Sequence, residues 1–232
     1  MVLKPLKKVF LTGGSGTLGI EMRKKSPQLI APSKDECNIL LLGQIEKNLD
    51  IYKPEIFIHA AGFTNVKSAE EDSDNCIDIN VMGTINVIKA CRKRGIKLVF
   101  ISTDYVFDGK RGYYKLDDPI NPLSYYAKTK GAAELIVRTY PNHLIIRTSF
   151  FGYDFPYDKA LIDQWTTKDY VDIIAPKILK EAMSNKIGVV HVGSERRSIY
   201  EIAKTRNPSV KEFKMENINF PIPRDVSLEV CK

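Results

Sequence analysis

The 232-residue sequence predicts an α/β fold, a doubly wound parallel sheet followed by a small C-terminal lobe. Two observations carry that expectation. Through residue 152, short apolar runs alternate with longer amphipathic ones, and a glycine-rich stretch, "TGGSGTLG" at 12–19, follows the first apolar run directly. Strands are read at 7–12 "KKVFLT", 28–31 "QLIA", 55–60 "EIFIHA", 97–102 "KLVFIS" and 143–148 "HLIIRT". Helical periodicity marks 79–95 and 125–140, and Gly95 stands where the first of these should stop. Each connection between strands contains helical pattern or room for it, as parallel pairing requires. After Gly152 the texture changes, since "YDFPYDKALIDQWTTKDY" is polar and aromatic with no clear strand. A helix over 168–184, a strand at 188–192, a short helix from Ser198 and a proline-rich tail complete the reading, which places a boundary between 152 and 153.

Composition excludes several classes. Apolar residues at 44% and charged ones at 27% are those of an ordinary soluble globular protein. The apolar run before the first glycines is too short for a signal peptide, and no segment approaches the roughly 18 apolar residues of a membrane span. A cytoplasmic protein without a membrane partner is expected. Cys37, Cys76, Cys91 and Cys231 show no CxxC spacing and only three histidines are present, so neither a metal site nor a disulfide framework is indicated. The net charge of +7 concentrates at 23–25, 89–97 and 110–115 and attracts anions in general, although solvated helix ends and loops account for it equally well. Those clusters fall on different helices and loops, which argues against nucleic acid and leaves phosphorylated small molecules.

Gly13, Gly16 and Gly19 give the spacing GxxGxxG between a strand and a helix, the context in which a glycine turn binds a pyrophosphate at a helix N-terminus. A merely structural turn is the competing reading. In such a sheet a ligand lies across the carboxyl ends of the strands. There "HAAG" supplies the small Ala60, Ala61 and Gly62, and "STD" supplies Ser102, Thr103 and Asp104. Tight packing or a helix cap would explain each group alone; their joint placement at one edge favours a site. Finally, "SYYAKTK" at 124–130 offers two tyrosine–lysine pairs at helical spacing, Tyr126 with Lys130 and Tyr125 with Lys128. Spacing alone leaves both open.

With these motifs in this order, the chain resembles the extended short-chain dehydrogenase/reductase superfamily. More narrowly, "HAAGFTNVKSAE" 59–70, "STDYVFDG" 102–109, "NPLSYYAKTKGAAE" 121–134 and "RTSFFG" 147–152 look like the dTDP-4-dehydrorhamnose reductases and related nucleotide-sugar 4-ketoreductases. The resemblance implies a Rossmann-like dinucleotide-binding domain over 1–152 and a small substrate-binding lobe over 153–232, shortened between Phe155 and Asp163. It assigns Tyr126 as proton donor, Lys130 as its partner and Thr103 as the assisting hydroxyl. It places the cofactor along Gly13, Ser15, Gly16, Thr17, Leu18 and Gly19, then Lys34, Asn38 and Ile39, then Ala60, Ala61, Gly62 and Ser102, with Tyr126 and Lys130 at the reacting end. Thr103, Asp104 and Phe150 would touch substrate. Asn38 stands where the family commonly has aspartate, and Phe150 where it has tryptophan.

The chemistry agrees with that assignment. Reducing a ketone needs a hydride, which only a nicotinamide supplies, and a proton, which a tyrosine eased by a neighbouring cation can give. Lys34 aligns with a basic residue common in the related reductases, beside Ser33, so NADPH is expected to be preferred, with NADH usable. Asp35 and Glu36 follow immediately and would favour NADH if either reached the ribose. The implied partner is a nucleotide-diphosphate sugar, and a homodimer is left open. Arg196 and Arg197 are candidates to meet the diphosphate, with surface arginines the alternative. Trp165 is a substrate contact or a core residue of the lobe, while His59 and His191 are read as packing residues. Two other functions compete, a bifunctional nucleotide-sugar epimerase/reductase and a non-catalytic dinucleotide-binding regulatory subunit like the beta subunit of methionine adenosyltransferase.

Overall fold

A computed structural model describes residues 7–230, so Cys231 lies outside the described residues. Strands β1 (Val9–Thr12), β2 (Ile56–His59), β3 (Lys97–Thr103), β4 (His143–Thr148) and β5 (Gly188–His191) form one sheet in that spatial order, every pair parallel. β3 is buried along its whole length, the pattern of a strand covered on both faces. Because His59 at the end of β2 pairs with Phe100, β3 runs on past its neighbour and carries Ser102 and Thr103 over the carboxyl edge.

The strand expected at 28–31 shrinks to a single bridge between Ile30 and Phe10. Pro27 and Pro32 bracket it, and proline contributes no ladder donor, so pairing stops after two hydrogen bonds, Leu11 N–H to Ile30 O at 2.8 Å and Ile30 N–H to Val9 O at 3.0 Å. Ile30 lies on the far side of β1 from β2. The chain therefore winds in opposite directions from β1, and the crevice of a doubly wound sheet opens above it.

Helices α1 (Thr17–Lys25), α2 (Leu42–Tyr52), α3 (Val66–Glu71), α4 (Gly83–Arg94), α5 (Tyr125–Val137), α6 (Val171–Met183) and α7 (Ile199–Lys204) complete the main elements. Strand alternation splits the core in two. Val9, Leu11, Val99, Ile101, Leu144 and Ile146 pack under α1 and α6, whereas Phe10, Phe57, Leu98, Phe100 and Ile145 pack under α2, α4 and α5. Gly95 ends α4 in the left-handed conformation at φ 67° as its position required. The helical pattern read from residue 79 begins inside a π-helical turn, Asp78–Met82, that joins α4 to Ser73–Ile77 without a break. Ser124 caps α5, its hydroxyl accepting from the Ala127 N–H at 3.2 Å.

Beyond Gly152 the chain leaves the sheet and returns to it. Phe150–Phe151 pairs with Asp169–Tyr170, which delays the helix expected from residue 168 until Val171. A separate apolar cluster of Phe155, Ala160, Leu161, Tyr170, Ile199, Ile202, Ala203 and Val210 forms the small lobe. α6, however, packs on the sheet and β5 extends it. The change of texture after residue 152 thus marks an excursion rather than a single boundary: residues 171–183 and 188–191, placed in the lobe from sequence, pack with the sheet.

Candidate active site

A cleft of about 630 Å³ runs across the carboxyl edge of the sheet. One end is built by close backbone approach. Gly13 has φ +80°, and a Cβ there would stand 2.6 Å from the Ala61 nitrogen and 2.7 Å from the Ala60 carbonyl carbon. A Cβ on Gly19 would meet the Gly13 oxygen at 2.2 Å, so α1 can begin this close to the turn only with glycine. Gly16 caps α1 without a side chain, and Ser15, Gly16, Thr17, Leu18 and Gly19 line the cleft beside the unfilled first-turn N–H groups. That is an anion cradle.

Lys34, Asn38 and Ile39 line the cleft beyond Ile30. The two acids that follow Lys34 do not. Glu36 turns back on Ser33, accepting from its N–H at 2.8 Å and its hydroxyl at 2.9 Å, and these bonds hold the Glu36 carboxyl below its ordinary range. The Ser33 proton is therefore committed to Glu36. Asn38 closes its own turn, its side-chain oxygen accepting from the Leu40 N–H at 3.0 Å. Ile39 packs against Gly83, whose lack of a Cβ lets α4 come close, and the Asn86 amide holds the Ile39 carbonyl at 3.0 Å.

The middle of the cleft, Ala60, Ala61 and Gly62, is fixed from below by Asn80 on the π turn. Its side-chain oxygen accepts from the Phe63 N–H at 2.8 Å, and its amide donates to the Phe63 carbonyl and the Thr129 hydroxyl, both at 3.0 Å. Behind this loop His59 joins Thr12 at 3.0 Å and Thr84 at 3.2 Å, fully inside the protein. Burial, with Lys130 adding to it, pushes His59 down to about 3. Its folded pKa is depressed, so the unfolded chain binds the extra proton between about 3 and 6.5 and stability falls as pH drops through that window. Unfolding free energies from urea titrations should decline by up to about 1.4 kcal/mol per pH unit below 6.5, and His59→Gln should flatten that slope. An unchanged slope in the variant would assign the acid lability elsewhere.

At the other end of the cleft the structure gathers Thr103 from β3 with Tyr126 and Lys130 from α5, all lining it with Ser102 and Phe150. Tyr125 faces elsewhere, its N–H donating to Glu70 at 2.7 Å, and Lys128 is exposed. Burial raises Tyr126 above its usual value, while the neighbouring Thr103 hydroxyl eases its ionisation, so at neutral pH it carries its proton. Lys130 is pushed down to about 7, chiefly by burial, and its ammonium donates to the Ile101 carbonyl at 2.8 Å and lies 3.9 Å from the Phe100 ring centre. It is not among the groups that shift Tyr126.

Several expected contacts lie elsewhere. Asp104 is 1% exposed and does not line the cleft, because Thr103 and Thr166 donate to its two oxygens at 3.2 and 2.9 Å and hold it behind the site. The Ser102 hydroxyl donates inward to Glu134 at 2.6 Å. Arg196 is engaged by Asp225 and stacks over Trp165 at 4.1 Å, and Arg197 donates to Asp169 at 2.7 Å, so neither arginine reaches the cleft and Trp165 belongs to that stack. Among the lining residues not foreseen are Tyr105, Thr148, Ser149 and Lys168; the Thr148 hydroxyl is buried without a partner among the described residues. Tyr105 and Ser149 adjoin motifs already noted.

A family model described as the RmlD substrate binding domain matches residues 7–173, a span that holds every residue lining the cleft. The chain belongs to this family. Among its relatives, the spore coat polysaccharide biosynthesis protein SpsK of Bacillus subtilis (strain 168) is 29% identical over 218 residues, covering 90% of this chain and 77% of that protein. A dTDP-4-dehydrorhamnose reductase of Aggregatibacter actinomycetemcomitans is 30% identical over 194 residues, 80% of this chain and 66% of that one. The crystal structure of dTDP-4-dehydrorhamnose reductase from Bacillus anthracis str. Ames in complex with NADP superposes with a TM-score of 0.88 at 26% identity, covering 97% of this chain and 91% of that one. Within this RmlD-family chain, the two unusual residues Asn38 and Phe150 both line the cleft.

Proposed function

We propose that the protein is an NAD(P)H-dependent reductase of the 4-keto group of a 4-keto-6-deoxy nucleotide sugar. The observation that carries this reading is the convergence of Thr103, Tyr126 and Lys130 at one end of a cleft whose other end is the Gly13–Gly19 anion cradle. The residues suit a dinucleotide: the cradle takes a pyrophosphate, Lys34, Asn38 and Ile39 flank an adenosine, and Ala60, Ala61 and Gly62 leave room for the chain between. When bound, the nicotinamide supplies the hydride that no side chain can. Tyr126 delivers its proton to the carbonyl oxygen as charge develops there, and Thr103, beside it, orients that oxygen. Lys130, one helical turn from Tyr126, stands where it can hold the nicotinamide ribose.

Incubating the protein with a panel of 4-keto nucleotide sugars and NADPH or NADH, and following loss of the nicotinamide absorbance, tests the proposal. Turnover of at least one is expected. Tight dinucleotide binding with no turnover of any would favour a non-catalytic, dinucleotide-binding subunit, a reading to which the shortened lobe lends some support.

The cofactor preference has its own handle. Lys34 faces the cleft while Glu36 is turned onto Ser33, an arrangement that favours a 2′-phosphate over repelling it. Lys34→Ala should weaken NADPH binding by roughly 1–3 kcal/mol, one charge-assisted hydrogen bond, and leave NADH almost unchanged. Equal losses, or a wild-type preference for NADH, would remove Lys34 from that role.

A further inference from the structure

The cleft wall carries three lysines, Lys34, Lys130 and Lys168, and neither an aspartate nor a glutamate. Lys34 stands at the adenosine end and Lys130 donates to Ile101. Lys168 is half-buried with its ammonium 4.6 Å from the centre of the Phe151 ring and 5.9 Å from that of Tyr105. Among the described residues it forms no ion pair and its ammonium donates no hydrogen bond, in contrast to Arg196 and Arg197, each held by an aspartate. The carboxylate that acts on it is Asp104, already accepting from Thr103 and Thr166.

The segment that presents this lysine is held by hydrogen bonds and close packing. The Thr166 hydroxyl both donates to Asp104 at 2.9 Å and accepts from the Lys168 N–H at 3.1 Å. Ser194 N–H donates to the Thr167 carbonyl at 2.7 Å, and Gly193 packs so closely that a Cβ would lie 2.8 Å from that same oxygen. A cation held among aromatic faces, partly stripped of water and without an acceptor, is completed by an anionic oxygen. Through Thr166 and Asp104 it is linked to Thr103, which places it at the reacting end rather than at the dinucleotide cradle.

We propose that Lys168 receives an anionic group of the substrate and so helps determine which substrates the cleft accepts. This rests on the nucleotide-sugar reading above. The anionic group such a substrate carries is the diphosphate that joins sugar to nucleoside.

Calorimetric titration of the wild type, Lys168→Met and Lys168→Arg with NADPH, UDP, dTDP and a UDP-hexuronic acid separates the outcomes. Lys168→Met should weaken the substrate-side ligand about ten- to hundredfold, and Lys168→Arg should recover most of the loss. NADPH affinity should stay within about twofold, which also shows that the variant is folded. Loss with UDP or dTDP supports the assignment; loss confined to the hexuronic acid, whose carboxylate a 6-deoxy sugar lacks, overturns it. Equal affinity of wild type and Lys168→Met for all these ligands overturns it, as does a loss of NADPH binding as large as any other in a variant that melts normally. Wild-type protein that binds none of the substrate-side nucleotides would remove the nucleotide-sugar reading itself and this assignment with it.

Discussion

Tyr126→Phe is expected to lower turnover by about 10²–10⁴-fold, the contribution of a positioned general acid, while dinucleotide affinity stays within a few-fold. The substitution deletes one oxygen beside Thr103 and leaves the ring that lines the cleft. Tyr125→Phe should be nearly silent, because Tyr125 is outside the cleft and is held by its backbone N–H on Glu70. Lys130→Met should damage both turnover and cofactor binding. Steady-state kinetics with fluorescence titration of the nicotinamide reads all three, and the opposite ranking of the two tyrosines would show that the acid has been assigned to the wrong residue.

Arg147→Met should cost about 3–5 kcal/mol of stability, because it strands a buried carboxylate. Arg147 and Glu134 have no side-chain exposure, with contacts of 3.0 Å from Nη2 and 3.1 Å from Nε. Ser102 donates to the same carboxylate at 2.6 Å, and the guanidinium lies 4.9 Å from the Phe107 ring centre. The pair ties α5, which carries Tyr126 and Lys130, to β3 and β4. Replacing both partners, Arg147→Met with Glu134→Leu, should recover much of the loss, since two buried charges then disappear together. Urea unfolding measures both, and a single variant as stable as the wild type would mean that the carboxylate finds another partner or a proton.

Local signals were legible where a short motif fixed the backbone. Gly13 and Gly19 were readable because each needs the space of a missing Cβ, and Ser102 and Thr103 because an apolar run ended in hydroxyls. Four of the five strands of the sheet were read for the same reason, as buried parallel strands form continuous apolar runs, whereas the half-buried fifth, at 188–191, was assigned to the lobe. The strand at 28–31 failed because apolar content cannot report how few residues two prolines leave for pairing. Placement of charged side chains was the least legible. Arg196, Arg197 and Lys168 lie close in space to the same lobe segment, yet which of them is claimed by Asp225 or Asp169 and which faces the cleft depends on long-range packing. Asp104 was displaced for a similar reason, since Thr166, the hydroxyl that holds it, comes from the other side of the fold.

The most direct measurement is the fate of a labelled hydride. With NADPH deuterated at nicotinamide C4 on the transferred face and a 4-keto-6-deoxy nucleotide sugar as substrate, the reduced sugar should be one mass unit heavier than that made with unlabelled NADPH and carry its deuterium at C4. A sugar recovered as the unreduced ketone under either stereochemical label, or reduced without deuterium, would contradict the assignment of this cleft to hydride transfer.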